Sequence, residues 1–380
     1  MQIPFNKIFY TGKETEYLND AMTKGQICGD GYYTHLVSSM IEEKFHAHKA
    51  LMTTSASHAM DMAALMVGLK PGDEVIMPSF TFPSTANAVL LRGAKVVFAD
   101  IEEDTLNIDI KDVQRKITSS TRAVIPVHYG GICCDMDKLM DTAQESNLYI
   151  IEDAAHGVNA KYKGKYLGTL GHIGCFSFHS TKNYTCGEGG ALLINTSKMG
   201  LVEKGEIIRQ KGTDRSRYIR GEIDRYSWID VGSSYVPSDI LMAFLYAQLK
   251  ELDSIRAKRK EIHDFYHMHL MEYAYNGVIK MSNIPKDSES NYHIFYILFN
   301  QEKDRDKVID GLKSRGICTA THYVPLHSSP MGQKLGYKKE ELPISEKAGS
   351  CLIRLPMYTS MTREEMEYII SNLEDILKEI

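Results

Sequence analysis

The chain has 380 residues, 43% of them hydrophobic and 24% charged, and a formal net charge of -5. This is ordinary globular composition, with a sizeable core and room for two domains of about 100–200 residues each. The slight negative charge supplies no global field that would draw the protein to nucleic acid.

The first ten residues lack a signal peptide's long apolar core, and no uninterrupted apolar run approaches the ~18 residues that span a bilayer. A soluble, cytoplasmic protein is expected, with no membrane partner. Thr11 followed by Glu14 is a capping box for a helix that stops at Gly25. The G-D-G turn at 29–31 redirects the chain into a second helix over 34–48. Residues 51–55 feed straight into apolar spacing of helical period over 56–67, which ends near Gly68. First-turn amides of such a helix are unsatisfied and its dipole favours negative charge, so Ser55, Ala56 and Ser57 could cradle a phosphate. Serine is also an ordinary helix cap, and on the residues alone the cap is the better reading.

From 71 onward, apolar runs at 74–78, 95–100, 122–128 and 148–153 are too short for helices and are separated by helix-length segments. That alternation predicts a mostly parallel sheet with helices on both faces. After the first run comes S-F-T-F-P-S-T, whose Phe82 is a candidate to stack on a flat ring or else a core residue. The seven cysteines are odd in number and irregularly spaced, with Cys133 and Cys134 adjacent, so neither a disulfide framework nor a zinc knuckle is indicated. A reducing compartment follows. Glu152 and Asp153 stand at the C-terminal end of the 148–153 run, the edge where open α/β sheets place ligands. A carboxylate there can keep a ring nitrogen such as that of pyridoxal phosphate protonated, or can cap a helix.

The stretch 174–190 reads G-C-F-S-F-H-S-T-K-N-Y-T-C-G-E-G-G, two apolar runs framing a glycine-rich turn and one lysine. Lys182 lies near Ser177 and Ser180, with no carboxylate nearer in sequence than Glu188. Desolvation there would lower its pKa and free the amine to attack a carbonyl, whereas most lysines are simply solvated. Helical text then runs to Gln210, followed by an irregular loop to Ser234 that carries Lys211, Arg215, Arg217, Arg220 and the only tryptophan, Trp228. Long helices occupy 239–275. The expected division is a large domain over 1–250 and a smaller C-terminal α/β domain over 251–380. The latter reads as a strand at 292–299, a helix at 304–315, a strand at 318–323 and a terminal helix over 362–380 with its own capping box. His263 and His267 have a metal-like i, i+4 spacing but no obvious third ligand, so a solvated face and no metal are expected.

Asp153, Ser177 and Lys182, in this order, give the chain a resemblance to the DegT-type sugar aminotransferases, pyridoxal-phosphate enzymes of fold type I, with matching stretches from Pro4 to the C-terminal end. The resemblance implies that Lys182 holds the cofactor covalently, Asp153 bonds its ring nitrogen, Phe82 packs on the ring, and Ser55, Ala56, Ser57 and Ser177 complete its site. His156 is placed near the ring oxygen or the bond to Asp153. Many members reach across a homodimer interface with an asparagine; this chain has none at 232–239, and Ser234 is the substitute. His322 and His327 flank a loop near the substrate, and Arg354 is assigned either to the donor carboxylate or, in preference, to a structural ion pair. L-glutamate is the expected donor and a nucleotide-linked keto-sugar the acceptor.

The stretches C-G-D-G at 28–31, F-S-F-H-S-T-K-N-Y-T at 176–185, K-G-T-D-R-S at 211–216 and D-V-G-S-S-Y at 230–235 resemble members that aminate dTDP-4-keto-6-deoxy-D-glucose at C4 to the galacto amine for cell-surface polysaccharide. The gluco amine and a 3-keto acceptor are the alternatives. Lys211, Arg215, Arg217 and Arg220 are candidates for the diphosphate. A non-catalytic, cofactor-binding regulator is the alternative of another class; no helix-turn-helix or basic recognition face supports a DNA-binding one.

Overall fold

The structure, a computed structural model, describes residues 1–196 and 200–380. Helices α1 (Glu14–Lys24) and α2 (Tyr32–Phe45) precede β1 (Lys49–Thr53) and α3 (Ala56–Met66). Next come β2 (Glu74–Pro78), α4 (Pro83–Leu90), β3 (Lys95–Ala99), α5 (Ile110–Lys116), β4 (Thr121–Val124), α6 (Met136–Ser146) and β5 (Tyr149–Asp153) in strict alternation. A small ribbon of β6 (Lys161–Tyr162) and β7 (Lys165–Tyr166) leads to β8 (Ile173–Ser177) and β9 (Gly190–Ile194). Then follow α7 (Leu201–Arg209), the short α8 (Arg215–Ile219), α9 (Asp239–Lys250) and α10 (Leu252–Tyr275). The last part holds β10 (Ile279–Met281), β11 (Ser288–Glu289), β12 (Tyr296–Phe299), α11 (Glu302–Ser314), α12 (Pro330–Lys334), α13 (Pro343–Cys351), β13 (Leu352–Arg354) and α14 (Arg363–Leu377). No helix among the described residues is long and apolar enough to cross a membrane.

The main sheet has the order β1-β9-β8-β5-β4-β2-β3, and every strand but β9 runs the same way. Helices cover it, so β8 and β9 are buried along their whole length, which is why they read as continuous apolar runs rather than alternating ones. A second, antiparallel sheet, β10-β12-β13, packs with α10, α11 and α14. Its core includes Phe265, Tyr266, Leu312, Ile353 and Ile369, and Ile3 joins it through a bridge to Ile317. Helix α10 passes between the two cores: Leu252 and Ile255 pack with the main sheet's helices, and Ile262 to Leu270 with the second sheet.

Several local expectations are corrected. Glu14 does reach back to the amides of Thr11 and Gly12 (2.8 and 3.0 Å), but the N-cap is Lys13. Helix α2 starts before Thr34, because Asp239 supplies the cap from another helix, accepting from the amides of Tyr33 and Thr34 at 3.1 and 2.7 Å. It stops at His46 in the left-handed conformation. Residues 292–295 are not strand: Tyr292 has φ 55°, and the carbonyls of Tyr292 and His293 accept from the Arg259 side chain instead of a neighbouring strand. Among the described residues the run 318–323 makes one bridge, Ala320 to Arg354. His263 faces the core, not solvent, with its ring against Tyr292 and Phe295, and no metal cluster is found among the described residues. Residues 197–199 of the expected helical stretch lie outside the described residues.

Candidate active site

Parallel strands end on one edge of the sheet, and the connections that follow them converge there. At the end of β5, neighbouring side chains point to opposite faces. Glu152 turns into the core, where its carboxylate meets the His128 Nε2 at 2.8 Å and accepts from the amides of Gly168 and Leu170 at 2.8 and 2.7 Å. Asp153 turns the other way, into a cavity of about 510 Å³. Its Oδ2 accepts from the Thr85 hydroxyl at 2.8 Å and its Oδ1 from the Ala155 amide at 3.2 Å. Burial raises the Asp153 pKa, and those two donors and nearby Lys182 oppose the rise.

Lys182 enters the same cavity from the turn that joins β8 to β9, whose register pairs Ser177 with Gly190. A Cβ on Gly190 would lie 2.4 Å from the Ser55 carbonyl carbon, so only glycine lets this hairpin seat against the start of α3. That contact sets the lysine loop beside the α3 N-terminus. Burial lowers the Lys182 pKa to about 8, with Arg354 adding to the drop and Asp153 opposing it. The free amine is therefore accessible near neutral pH.

Ser55 caps α3, accepting from the His58 amide at 3.1 Å, while the Ser57 hydroxyl meets that of Ser84 at 2.6 Å. Ser55, Ala56 and Ser57 all line the cavity, as does Phe82, which is 59% exposed and so is not a core residue. Ser177 lines it too. His156 accepts the Gly130 amide on Nδ1 at 3.2 Å, and its ring lies 4.4 Å from that of His293. His293 in turn donates from Nδ1 to Asn183 Oδ1 at 2.8 Å, next to Lys182. Burial drives His156, His293 and His322 towards the neutral form, with the cations Lys182 and Arg354 reinforcing it. From the C-terminal part come Arg259 of α10, His322 of an irregular stretch and Arg354 at the end of β13.

Sequence reasoning missed Thr85, Asn183, Arg259 and His293. Only His293 carried a usable signal, a polar side chain inside an apolar run. Other expected residues are not brought to the cavity. His327 is fully buried elsewhere, with Nδ1 2.7 Å from Ser79 Oγ and Nε2 3.2 Å from the Lys339 carbonyl; it props up the loop rather than facing a substrate. Ser234 is exposed and bridges to Gln210. Lys211, Arg215, Arg217 and Arg220 lie outside the cavity in this chain. Arg217 is held by Glu203 and Glu222, and Arg220 by Glu206 and Glu222 at 2.8 and 2.6 Å. The structural ion pair expected for Arg354 is not found among the described residues; its Nη1 contacts His322 Nε2 instead.

The signature stretches pack on one another beside this site. Asp30 of C-G-D-G binds Arg209 and Gln210, and a Cβ on Gly212 would fall 1.8 Å from the Asp230 carbonyl oxygen. Gly232 closes on Gly212 from the other side, and the Tyr235 carbonyl accepts from the Thr54 amide at 3.1 Å.

A family profile described as the DegT/DnrJ/EryC1/StrS aminotransferase family matches residues 10–374. The chain belongs to this family. GDP-perosamine synthase from Escherichia coli O157:H7 is 31% identical over 377 residues, 98% of each chain. Among solved structures, a putative sugar aminotransferase from Streptococcus pneumoniae superposes with a TM-score of 0.93 at 24% identity, covering 100% of this chain and 98% of that one. DesV from S. venezuelae gives 0.90 at 27% identity, over 100% and 99%. DegT-family enzymes are aminotransferases dependent on pyridoxal phosphate with fold type I, and the mixed sheet here has that architecture. The residues fit the cofactor: one cavity holds a half-buried amine, a hydrogen-bonded carboxylate opposite in charge to a protonated ring nitrogen, and a helix N-terminus suited to phosphate.

Proposed function

We propose that this DegT-family aminotransferase moves the amino group of L-glutamate to C4 of dTDP-4-keto-6-deoxy-D-glucose, giving dTDP-4-amino-4,6-dideoxy-D-galactose for a cell-surface polysaccharide. The observation that carries the chemistry is the shared cavity of Lys182, with its lowered pKa, and Asp153. Pyridoxal phosphate, when bound, supplies an electron sink and carries the nitrogen between the two substrates.

In this reading Lys182 holds the cofactor between turnovers, and when released its Nζ takes the proton from the donor's α-carbon and later delivers one to C4 of the sugar. Asp153, oriented by Thr85 and Ala155, keeps the proton on the ring nitrogen. Ser55, Ala56 and Ser57 hold the phosphate, Phe82 covers the ring face, and His156 and Ser177 complete the polar wall. Substrate entry excludes water from the site, which strengthens each of these interactions.

The stretches at 28–31, 211–216 and 230–235 support the sugar assignment, and a relative named for a GDP-linked sugar supports the nucleotide-sugar class. A homodimer with shared sites, working in the cytoplasm, belongs to the same proposal. Ile27, Tyr32, Trp228, Ile229 and Val231 are all half exposed or more, and a second copy would cover them.

The test is product analysis by mass spectrometry after incubation with glutamate and dTDP-, UDP- and GDP-linked 4-keto- and 3-keto-6-deoxy sugars. Proton couplings at C4 then assign the amine as axial or equatorial. An axial amine on the dTDP 4-keto sugar is expected. An equatorial amine, or use of another nucleotide alone, defeats the sugar assignment; no amine on any acceptor defeats the proposal.

A further inference from the structure

Lys182 is carried by a turn whose backbone is soft: Gly187 sits in it at φ 86°, with Gly189 and Gly190 close behind. A base on a flexible four-carbon stem serves two different carbons well only if its own Cα is held still. The hold comes from the next residue. Asn183 is buried, and its Nδ2 donates to the Asn291 carbonyl at 2.9 Å. A carbonyl can only accept, so the orientation of the amide is fixed and Oδ1 faces His293. His293 Nδ1 meets that oxygen at 2.8 Å and therefore carries the ring hydrogen.

The far side of this bond is rigid. Residues 290–293 are wired by side chains rather than by a strand. Arg256 Nε holds the Ser290 carbonyl at 3.0 Å, Arg259 holds those of Tyr292 and His293 at 2.9 and 2.6 Å, and Asn291 Oδ1 accepts the His293 amide at 3.1 Å. Asn291 Nδ2 in turn donates to the carbonyls of His156 and Val158 at 2.7 and 2.8 Å, and a Cβ on Gly131 would fall 2.0 Å from its Oδ1. One short stretch of the C-terminal part is thus bolted both to the residue after Lys182 and to the backbone that follows Asp153.

We propose that His293 is a positioning residue for the amino transfer: its hydrogen bond to Asn183 holds the Lys182 turn in register with the end of β5, so that Nζ meets each reacting carbon. This rests on the aminotransferase reading, and it gives the C-terminal part a share in the proton transfers themselves.

The experiment takes two readings on the same variants. In the cofactor-free protein, deuterium exchange of the peptide over 176–190 should quicken roughly 3- to 10-fold in His293→Leu, the scale of one lost hydrogen bond, while peptides from β2 and β4 keep wild-type rates. In the cofactor-loaded protein, single turnover with glutamate, followed by the cofactor's absorption, should slow on the order of 10-fold, with glutamate affinity within about twofold of wild type. His293→Asn puts an amide nitrogen where Nδ1 stood and should restore both. Asn183→Leu breaks the same bond from the other side and serves if His293→Leu does not fold; the double variant should lose no more than the worse single one. Unchanged exchange over 176–190, additive losses in the double variant, or no rescue by His293→Asn overturns the brace. Quickened exchange with a wild-type turnover rate also overturns the positioning role, because the bond would then be structural only. Neither reading needs a sugar, so failure to aminate any acceptor falls on the proposed function alone.

Discussion

Thr85 donates its hydroxyl hydrogen to Asp153 Oδ2 across 2.8 Å, joining the first turn of α4 to the end of β5. The Thr81 hydroxyl stands 3.0 Å behind it. Asp153 is 6% exposed, so without such donors burial alone would favour the neutral acid. Thr85→Val should lower kcat by about 5- to 150-fold, equivalent to roughly 1–3 kcal/mol for an unsatisfied buried carboxylate, with little change in either KM. Thr85→Ser should recover most of it. Steady-state kinetics decide; equal loss in both variants would mean that the methyl packing matters and the hydroxyl does not.

The lowered Lys182 pKa makes a prediction about the cofactor-free protein. Its folded pKa is about 8 against 10.5 for the free side chain. Below about pH 8 the folded state therefore pays for a buried ammonium, at a cost of roughly 3 kcal/mol. As pH rises from about 8 to 10.5 the folded lysine is neutral while the unfolded one is still charged, so stability climbs, and above that window the cost is gone. Lys182→Met should be more stable than the wild type at pH 7, and the gap should shrink by pH 10. Denaturant unfolding of both proteins measures it. The same variant should lose transamination and the visible absorption of the bound cofactor.

Glu152 and His128 are both fully buried and 2.8 Å apart, and Glu152 also takes the amides that shape the bend at 168–171. Removing one partner of such a pair strands the other, at about 3–5 kcal/mol. Glu152→Ala should therefore lower Tm far more than Asp153→Asn, while Asp153→Asn should keep the fold and lose turnover by orders of magnitude. Thermal melts beside activity assays separate the two adjacent carboxylates.

Within the basic loop, the four cations should not behave alike. Arg217 and Arg220 are already neutralised by carboxylates of their own chain, whereas Lys211 and Arg215 have no ion pair among the described residues. Alanine at Lys211 or Arg215 should raise the keto-sugar KM several-fold, more at low salt than at high. Alanine at Arg217 or Arg220 should leave it within about twofold, since surface pairs contribute only about 0–1 kcal/mol.

Trp228 is 78% exposed, with Ile229 and Val231 beside it at 51% and 61%. Trp228→Asp should shift the protein from dimer to monomer in sedimentation equilibrium and abolish activity with the monomer's appearance. An active monomer would show that each chain's cavity is complete.

The sheet was legible because strands such as β2 and β5 are buried along nearly their whole length: the runs at 74–78 and 148–153 needed no tertiary information to be recognised. Lys182 and Asp153 were legible for a related reason, since strand ends and glycine-framed turns announce themselves locally. The rest of the cavity was not. Thr85, Arg259 and His293 come from three separate stretches, and nothing near any of them in sequence says that they meet around one cavity. The apolar run at 292–295 even favoured a strand, because the Arg259 side chain that claims its carbonyls lies more than thirty residues away. The basic loop failed the same way: Glu203 and Glu206 sit on α7, and only the fold-back of α8 brings them to Arg217 and Arg220.

The interlock of Asp30 with Arg209 and Gln210, and of Gly212 with Asp230 and Gly232, constrains anyone who would retool this enzyme. A graft at 28–31 that lacks the Asp30 carboxylate would leave the buried Arg209 guanidinium without its ion pair. A graft of 211–216 alone would set a new backbone against a carbonyl that tolerates no side chain. The three stretches are separable in the gene but not in the molecule, so chimeras should exchange them as one cassette, together with Arg209 and Gln210.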